Sequence, residues 1–213
     1  GGLICGFVNT VASSGSAITL PLLVLMGLPP AVANGTNRLP VFFGAMMASI
    51  TFIRAKVIDW HLAVKILIPT LGGAVVGAIA ADHMREENLT ELIIAAVVIA
   101  LLLLFTSARK AFGQFIEELP RYRWQETLYL FFVGVWLGLI VLDSATYLLL
   151  VMILSMRLPL VQANAYKNLV LFFATGLSLV VMALEGNVNW AIGGVMALGS
   201  ILGGYIGARF AMH

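Results

Sequence analysis

Charged residues are scarce in this sequence: Asp, Glu, Lys and Arg make up 10% of the 213 residues, whereas 61% are hydrophobic. A soluble domain carries about a quarter charged residues, so this composition excludes an ordinary soluble protein. The net charge of +2 is too small to indicate a nucleic-acid partner. Long apolar runs dominate over short alternating ones, which predicts an all-α integral membrane protein.

Cysteine and histidine are rare as well. The single cysteine, Cys5, excludes an internal disulfide and any metal site built from cysteines. The three histidines, His61, His83 and His213, lie near loops or chain ends and show no ligand spacing. The sequence also contains no nucleotide-binding motif and no nucleophile–base set. We therefore expect no metal, no cofactor and no enzymatic activity.

Two polar stretches interrupt the apolar sequence, and they match each other. Residues 28–43 superpose on residues 158–173 without a gap when the first stretch is shifted by 130 positions. Chance matches between apolar segments would pair leucines and valines, so identical prolines, asparagines, tryptophans and glycines predict two tandem homologous repeats. The residues of the first repeat that meet an identical residue include Pro29, Ala33, Asn34, Phe42, Phe43, Trp60, Gly73, Gly77 and Ala78.

Each repeat is predicted to contain about four transmembrane helices. In the first repeat these are residues 1–27, 31–53, 61–81 and 90–107. The counterpart of the fourth helix would begin beyond the last residue, so we expect it to be absent from this chain. The corresponding segments of the second repeat are residues 127–153, 161–183 and 191–211.

These segments divide the chain into a first transmembrane repeat (1–107), an interfacial, cytoplasmic linker (108–126) and a second transmembrane repeat (127–213). The linker is the one long polar connection, with aromatic residues among its charges. The four-residue spacing of small residues predicts close helix packing along one face in each repeat. The glycines on these faces are Gly73, Gly77, Gly203 and Gly207.

The first helix of each repeat is expected to be broken. Residues 13–16, Ser-Ser-Gly-Ser, and Pro21 interrupt the first segment, and residues 143–146 occupy the equivalent place in the second. A helix that restarts after such a break presents unpaired N–H groups and the positive end of its dipole.

The loop cations bear on the orientation of the two repeats. With four spans per repeat, both copies point the same way, and we prefer this parallel arrangement. If residues 1–27 instead formed a re-entrant hairpin, the copies would be inverted. In the parallel arrangement Arg85, Arg157 and Arg209 lie opposite the larger group of cations, whose side is cytoplasmic. That larger group is Arg54, Lys56, Lys65, Arg109, Lys110, Arg121 and Arg123.

The matched polar stretches predict an anion site. Asn34, Asn37 and Arg38 fall on one helix face, beside Thr36. A charged side chain in the membrane interior is costly, so such a residue points into the bundle or a cavity. Two cations beside amide donors, with few buried anions nearby, indicate anion binding. The second repeat contributes residues at the same spacing: Asn164, Lys167 and Asn168.

The breaks add further candidate binding residues, and several of the candidates have two possible roles. Ser13, Ser14 and Ser16 either contact substrate or serve only helix packing. Asp143 either neutralises Lys167 or Arg38, or exchanges a proton during transport. Both cations also have an alternative as interfacial, snorkelling side chains.

Several motifs resemble the sulfite exporter TauE/SafE family of membrane permeases, and the resemblance covers nearly the whole chain. They include residues 6–16 (GFVNTVASSGS), 33–38 (ANGTNR), 163–168 (ANAYKN) and 198–209 (LGSILGGYIGAR). The resemblance implies a multi-pass transporter of the prokaryotic cytoplasmic membrane, acting on sulfur-containing or organic anions such as sulfite, sulfonates or sulfoacetate.

We therefore predict a secondary transporter, an exporter, that binds its anion between the two repeats and works by alternating access. The alternative is a passive anion channel, which would use the same cations without a two-state motion. The expected partners are a small anionic substrate and the lipid bilayer, and a homodimer is compatible with the plain fourth span and the glycine faces.

Overall fold

The computed structural model describes residues 1–13, 15–85, 87–88, 91–92, 94–95, 122–140 and 144–212. Most of the predicted fourth span and of the linker lies outside these residues, as do Ser14 and Asp143. The described residues contain no β-strand. Their helices are α1 Gly2–Ala12, α2 Ser16–Leu25, α3 Pro30–Arg54, α4 Trp60–Asp82, α5 Trp124–Leu139, α6 Ser144–Leu150, α7 Leu160–Leu184 and α8 Trp190–Met212, and a π-helical turn, Val151–Ser155, continues α6.

Three of these helices are long and apolar enough to cross a membrane: Trp60–Ala81, Leu160–Leu184 and Trp190–Met212. The segments Gly2–Val11 and Ser144–Ser155 are apolar but shorter. Helix α3 has the same length as α7, 25 residues, and it carries the polar run at positions 34–38. The described part of the chain is therefore that of an integral membrane protein.

The two halves of the chain have closely corresponding helices. Helices α3 and α7, and likewise α4 and α8, begin and end at positions 130 residues apart. The turns correspond as well. Gly27 (φ 89°) matches Arg157 (φ 60°), and Lys56 (φ 57°) matches Gly186 (φ 75°), so the same turn positions take left-handed backbone in both halves.

Helices α1 and α2 form an antiparallel hairpin. The chain reverses at Ser13, which has left-handed backbone (φ 63°). The Asn9 side chain accepts a 2.9 Å hydrogen bond from the Gly15 N–H across the reversal, and Cys5 contacts Thr19 further down the hairpin. The predicted break in residues 1–27 is thus present, and at this break the segment doubles back as a hairpin.

Helices α5 and α6 make the equivalent hairpin in the second half. The Trp136 and Tyr147 rings lie 6.2 Å apart near the end of α5. At the other end of the hairpin, the Ser155 hydroxyl donates a 2.9 Å hydrogen bond to the Glu126 carboxylate. Because contacts pair the end of α5 with the start of α6, these helices also run in opposite directions.

Helices α3 and α7 cross in an antiparallel orientation at the centre of the molecule. Leu39, near the start of α3, packs in one cluster with Met182, near the end of α7. Phe42 stacks on Phe172 at 5.0 Å, and Phe52, near the end of α3, packs with Ala165. Corresponding helices of the two halves therefore run in opposite directions.

The antiparallel course of α3 and α7 differs from the preferred parallel arrangement, in which corresponding helices of the two halves would run in the same direction. The helix directions also change which loop cations lie at the same end of the bundle. Val57, Val161 and Met212 pack in one cluster, so Arg157 and Arg209 lie at the same end as Arg54, not opposite it.

Glycines let the helices of one half pack directly on the backbone of the other. A methyl group on Gly73 or Gly77 of α4 would overlap the carbonyl oxygens of Phe131 or Val135 in α5. Gly203 of α8 meets Leu3 of α1 in the same way. The predicted packing role of these glycines is confirmed, and each face is used within the chain, across the two halves.

Candidate functional site

The polar run of α3 lies at the centre of the helix bundle. Asn34, Thr36, Asn37 and Arg38 are each fully buried, at 0% exposure. Their counterparts in α7 are buried to the same degree, with Lys167 at 0%. Full burial excludes the snorkelling alternative for both cations, because a snorkelling side chain keeps its charge at the membrane surface.

Arg38 binds the carbonyl oxygens at the end of α5. Its Nη1 donates to the Leu137 carbonyl at 3.1 Å, and its Nη2 donates to the carbonyls of Gly138 and Leu139. Asn34 Nδ2 donates to the Leu139 carbonyl at 2.8 Å. The last carbonyls of a helix have no partner within it and carry the negative end of the dipole. Arg38 and Asn34 together cap α5.

Lys167 caps α1 in the corresponding way. Its Nζ donates to the carbonyls of Asn9 and Thr10, both at 2.8 Å, and lies 3.2 Å from the Ser13 hydroxyl. A fourth acceptor, Asn164 Oδ1, lies at 2.9 Å. An ammonium group has three N–H donors, so four acceptors saturate it. Each cation thus holds the first hairpin of the opposite half.

Neither cation has an acidic partner among the described residues. Carbonyl dipoles, an amide and a hydroxyl are what balance the two buried charges. Moving an ion into a low-dielectric interior costs several kcal/mol, and neutral acceptors offset this without cancelling the charge. Among the described residues, neutral dipoles alone therefore surround the charges of Arg38 and Lys167.

Thr36 has a structural partner. Its hydroxyl accepts a 2.9 Å hydrogen bond from the N–H of Asn189, the residue just before α8. Tyr166 occupies the equivalent position in α7, and its hydroxyl accepts from the N–H of Asp59, just before α4, at 3.1 Å. Both bonds tie the polar run of one half to the turn of the other.

The serines of the first break differ in their surroundings. Ser13 lies at the reversal and contacts Lys167. The buried Ser16 hydroxyl, by contrast, has no hydrogen-bond partner among the described residues. One turn further along α2, the Thr19 hydroxyl donates to Asn37 Oδ1 at 2.5 Å. Ser14 lies outside the described residues, and so does Asp143, so neither alternative for that carboxylate is tested.

We divide the buried polar side chains into two groups, one on α3 and the facing side of α2 and one around Lys167. We call Ser16, Thr19, Asn34, Asn37 and Arg38 the Arg38 cluster, and Ser13, Asn164, Lys167 and Asn168 the Lys167 cluster. Asn168 belongs to the second because its Nδ2 donates to the Asn164 carbonyl at 2.8 Å. Within the described part of the chain, no hydrogen bond joins the polar run of α3 to that of α7.

Sequence reasoning missed two contributors to these clusters. Asn9 supplies a carbonyl to Lys167 and its side chain to the Gly15 N–H; Thr19 orients Asn37. Both are isolated polar residues in an apolar segment, within one or two turns of the serine-rich break, which is the signal that could have found them. Nothing among the described residues groups three histidine, cysteine or acidic side chains in a way that could hold a metal.

The sequence of the whole chain was compared with known proteins. The family model of the sulfite exporter TauE/SafE family matches residues 1–213. The chain belongs to this family. The resemblance found in its motifs is thereby confirmed, and the chain is that of a multi-pass membrane protein of a transporter family.

Curated relatives agree with this assignment. A probable membrane transporter protein of Haemophilus influenzae is 27% identical and aligns over 99% of this chain and 82% of its own length. The probable membrane transporter protein YfcA of Escherichia coli is 28% identical, over 99% of this chain and 78% of its own. A third relative, the probable membrane transporter protein YunE of Bacillus subtilis, is 24% identical over 97% of this chain and 85% of its own length. No solved structure matches the chain.

Proposed function

We propose that this TauE/SafE family member is a secondary transporter of small anions that works by alternating access. The observation that carries the proposal is the pair of fully buried cations, Arg38 and Lys167, with no acidic partner among the described residues. A positive potential inside a membrane protein favours an anion over a cation or a neutral solute. Such a charge is retained in a membrane interior mainly where function requires it.

The proposed substrates are sulfur-containing or organic anions such as sulfite, sulfonates or sulfoacetate. The family description supports sulfite directly. An oxyanion of this kind offers several acceptor oxygens, which suits arginine and amide donors. The polar run of each half and the serines of the first break are the candidates among which the binding residues are sought, and we propose no covalent chemistry, since transport alone accounts for the arrangement.

For the architecture we propose two inverted repeats. The matching helix bounds, the matching turns and the antiparallel course of corresponding helices support this. Inverted repeats are common in transporters, and alternating access follows when one repeat moves against the other around a site between them. Rocking of one half on the other would then expose the anion to either side.

We further propose the prokaryotic cytoplasmic membrane as the location, with the cation-rich end in the cytoplasm. That end carries Arg54, Lys56, Arg157 and Arg209, whereas Arg85 lies beyond the opposite end of α4. Positive loops remain on the cytoplasmic side of bacterial membranes. A homodimer is proposed to use surfaces other than the glycine faces, because Gly73, Gly77, Gly203 and Gly207 already contact helices of this chain.

Counterflow in proteoliposomes tests the function. Vesicles containing the purified protein and loaded with unlabelled sulfite should transiently accumulate labelled sulfite from outside, and the initial rate should saturate. A transporter exchanges one ion for another through its two-state motion, so counterflow is expected. A passive channel gives linear, non-saturating flux and no counterflow, and that result would replace the transporter proposal with the channel.

A further inference from the structure

Buried polar atoms without a partner are unevenly distributed between the two clusters. Six such side-chain atoms occur in the described residues, and four of them belong to the Arg38 cluster. The Lys167 cluster contains none. The remaining two are the hydroxyls of Ser49 on α3 and Ser178 on α7. The four atoms of the Arg38 cluster are Ser16 Oγ, Asn34 Oδ1, Asn37 Nδ2 and Arg38 Nε.

The hydrogen bonds that are made explain which atoms remain free. Thr19 occupies Asn37 Oδ1, which leaves the amide nitrogen of Asn37 without an acceptor. Arg38 uses both terminal nitrogens on the end of α5, which leaves Nε–H. Ser16 precedes Thr19 by three residues in α2, so the two side chains share the helix face on which Thr19 contacts Asn37.

Three of the four free atoms can donate a hydrogen bond, and one of them, Arg38 Nε, belongs to a charged group. A buried donor without an acceptor is unfavourable, and several in one cluster indicate a position that a ligand completes. Asn34 Oδ1 is the single acceptor, and its amide orientation is set by the bond from Nδ2 to the Leu139 carbonyl. An oxyanion, whose oxygens each accept hydrogen bonds, is the complementary ligand.

The Lys167 cluster offers no such opening. Lys167 already faces four acceptors, one of them the Asn164 side chain, and the Asn168 amide donates to the backbone of its own helix. An anion at this position would have to displace carbonyl oxygens that α1 cannot satisfy in another way.

We propose that the transported oxyanion binds at the Arg38 cluster, through the Arg38 Nε–H, the Asn37 amide and the Ser16 hydroxyl, and that the Lys167 cluster positions the α1–α2 hairpin without touching the ligand. This inference rests on the proposed function, which treats both halves as candidates. It makes the binding site asymmetric within a fold of two matching halves.

Sulfite binding to the full chain in lipid nanodiscs, measured by calorimetric titration, tests this. Ser16→Ala removes a hydroxyl that has no partner in the free protein, so the melting temperature should not fall while the Kd for sulfite rises about tenfold. Asn37→Asp keeps the acceptor for Thr19, replaces the free donor by an acceptor, and should raise the Kd further. Ser178→Ala removes an equally buried, unpartnered hydroxyl of α7 and serves as the matched control, with an unchanged Kd.

A variant of the Lys167 cluster completes this set of binding experiments. Asn164→Ala should lower the melting temperature, since Lys167 loses an acceptor, and leave the Kd of the folded protein within about twofold. The inference is overturned if the wild type binds sulfite and both Ser16→Ala and Asn37→Asp bind it equally well. It is also overturned if Asn164→Ala weakens binding tenfold without loss of stability. Absence of sulfite binding by the wild type would overturn the anion-transport proposal itself.

Discussion

The Arg38 and Lys167 clusters occupy corresponding parts of α3 and α7 and perform the same structural task with different residues. Each places one cation on the last carbonyls of the first helix in the opposite half. One cluster then satisfies all its buried polar atoms, whereas the other leaves four without partners. If the proposed binding site is right, a fold with internal symmetry uses one copy of a motif for stability and the other for ligand binding.

The most decisive test of the comparison concerns the opposite directions of the two halves. Ala55 and Glu185 are exposed and occupy equivalent turns. In a Cys5→Ala background, Ala55→Cys and Glu185→Cys should react with a membrane-impermeant thiol reagent from opposite sides of the membrane, an all-or-none difference. Intact cells should label Glu185→Cys, and Ala55→Cys should react only after permeabilisation. Labelling of both from one side would restore the parallel arrangement.

The next largest effect should come from the saturated cation. Lys167→Met removes the donor to two carbonyls and a hydroxyl that are buried at the end of α1, and orphaned buried acceptors cost about 1–3 kcal/mol each. Because the desolvation cost of the charge also disappears, we expect a net loss of about 3 kcal/mol in the free energy of unfolding. Denaturant titration in detergent measures it. Lys56→Met, at an exposed turn, is the control; equal stability of the two variants would contradict a capping role.

Contacts between the halves should show an effect of intermediate size. Gly203→Ala and Gly73→Ala each force a methyl group onto a neighbouring backbone, and we expect a loss of about 1–3 kcal/mol in unfolding free energy. Gly194 and Gly72 lie in the same two helices with open space around them. Alanine there should be neutral or stabilise by up to about 1 kcal/mol. If all four variants behaved alike, these interfaces would not be as close as described.

The smallest effect should come from the paired hydroxyls. Thr36→Val and Tyr166→Phe each leave one turn N–H without its acceptor, and each should cost about 1 kcal/mol in thermal or denaturant unfolding. The bonds tie different turns and share no partner, so the two losses should add in the double variant. A Thr36→Val variant that keeps full stability but loses sulfite binding would place Thr36 in the binding site instead of the framework.

Much of the fold follows from the sequence. The 130-residue offset predicted the bounds of four helices to within a residue or two, because matching proline and tryptophan residues flank the helices at their starts. The serine-rich break and the packing glycines could also be predicted, because each follows from a local pattern in the sequence. The burial of Asn34, Arg38 and Lys167 inside the bundle was predictable, because a polar or charged side chain that faces lipid is energetically costly.

The hairpins and the partners of the cations could not be read in the same way. Whether residues 1–27 cross the membrane or return depends on what packs around them, and this is tertiary information. Arg38 and Lys167 are one position out of register between the repeats, and nothing in their spacing indicated that each would cap the first helix of the opposite half. Backbone carbonyls have no sequence signature, and the sequence could therefore indicate where the charges are buried but not what they bind.

The long separation between each cation and the helix it caps has a consequence for biogenesis. Ser13 and Lys167 are 154 residues apart in the chain. At a synthesis rate of about 5–20 residues per second, the tip of the first hairpin waits about 8–30 s for its lysine. Until then the carbonyls at the end of α1 lack the donor that caps them in the folded protein. The α1–α2 hairpin thus leaves the ribosome well before the residue that holds its tip, which makes this segment a natural point at which insertion factors or quality-control proteases would act.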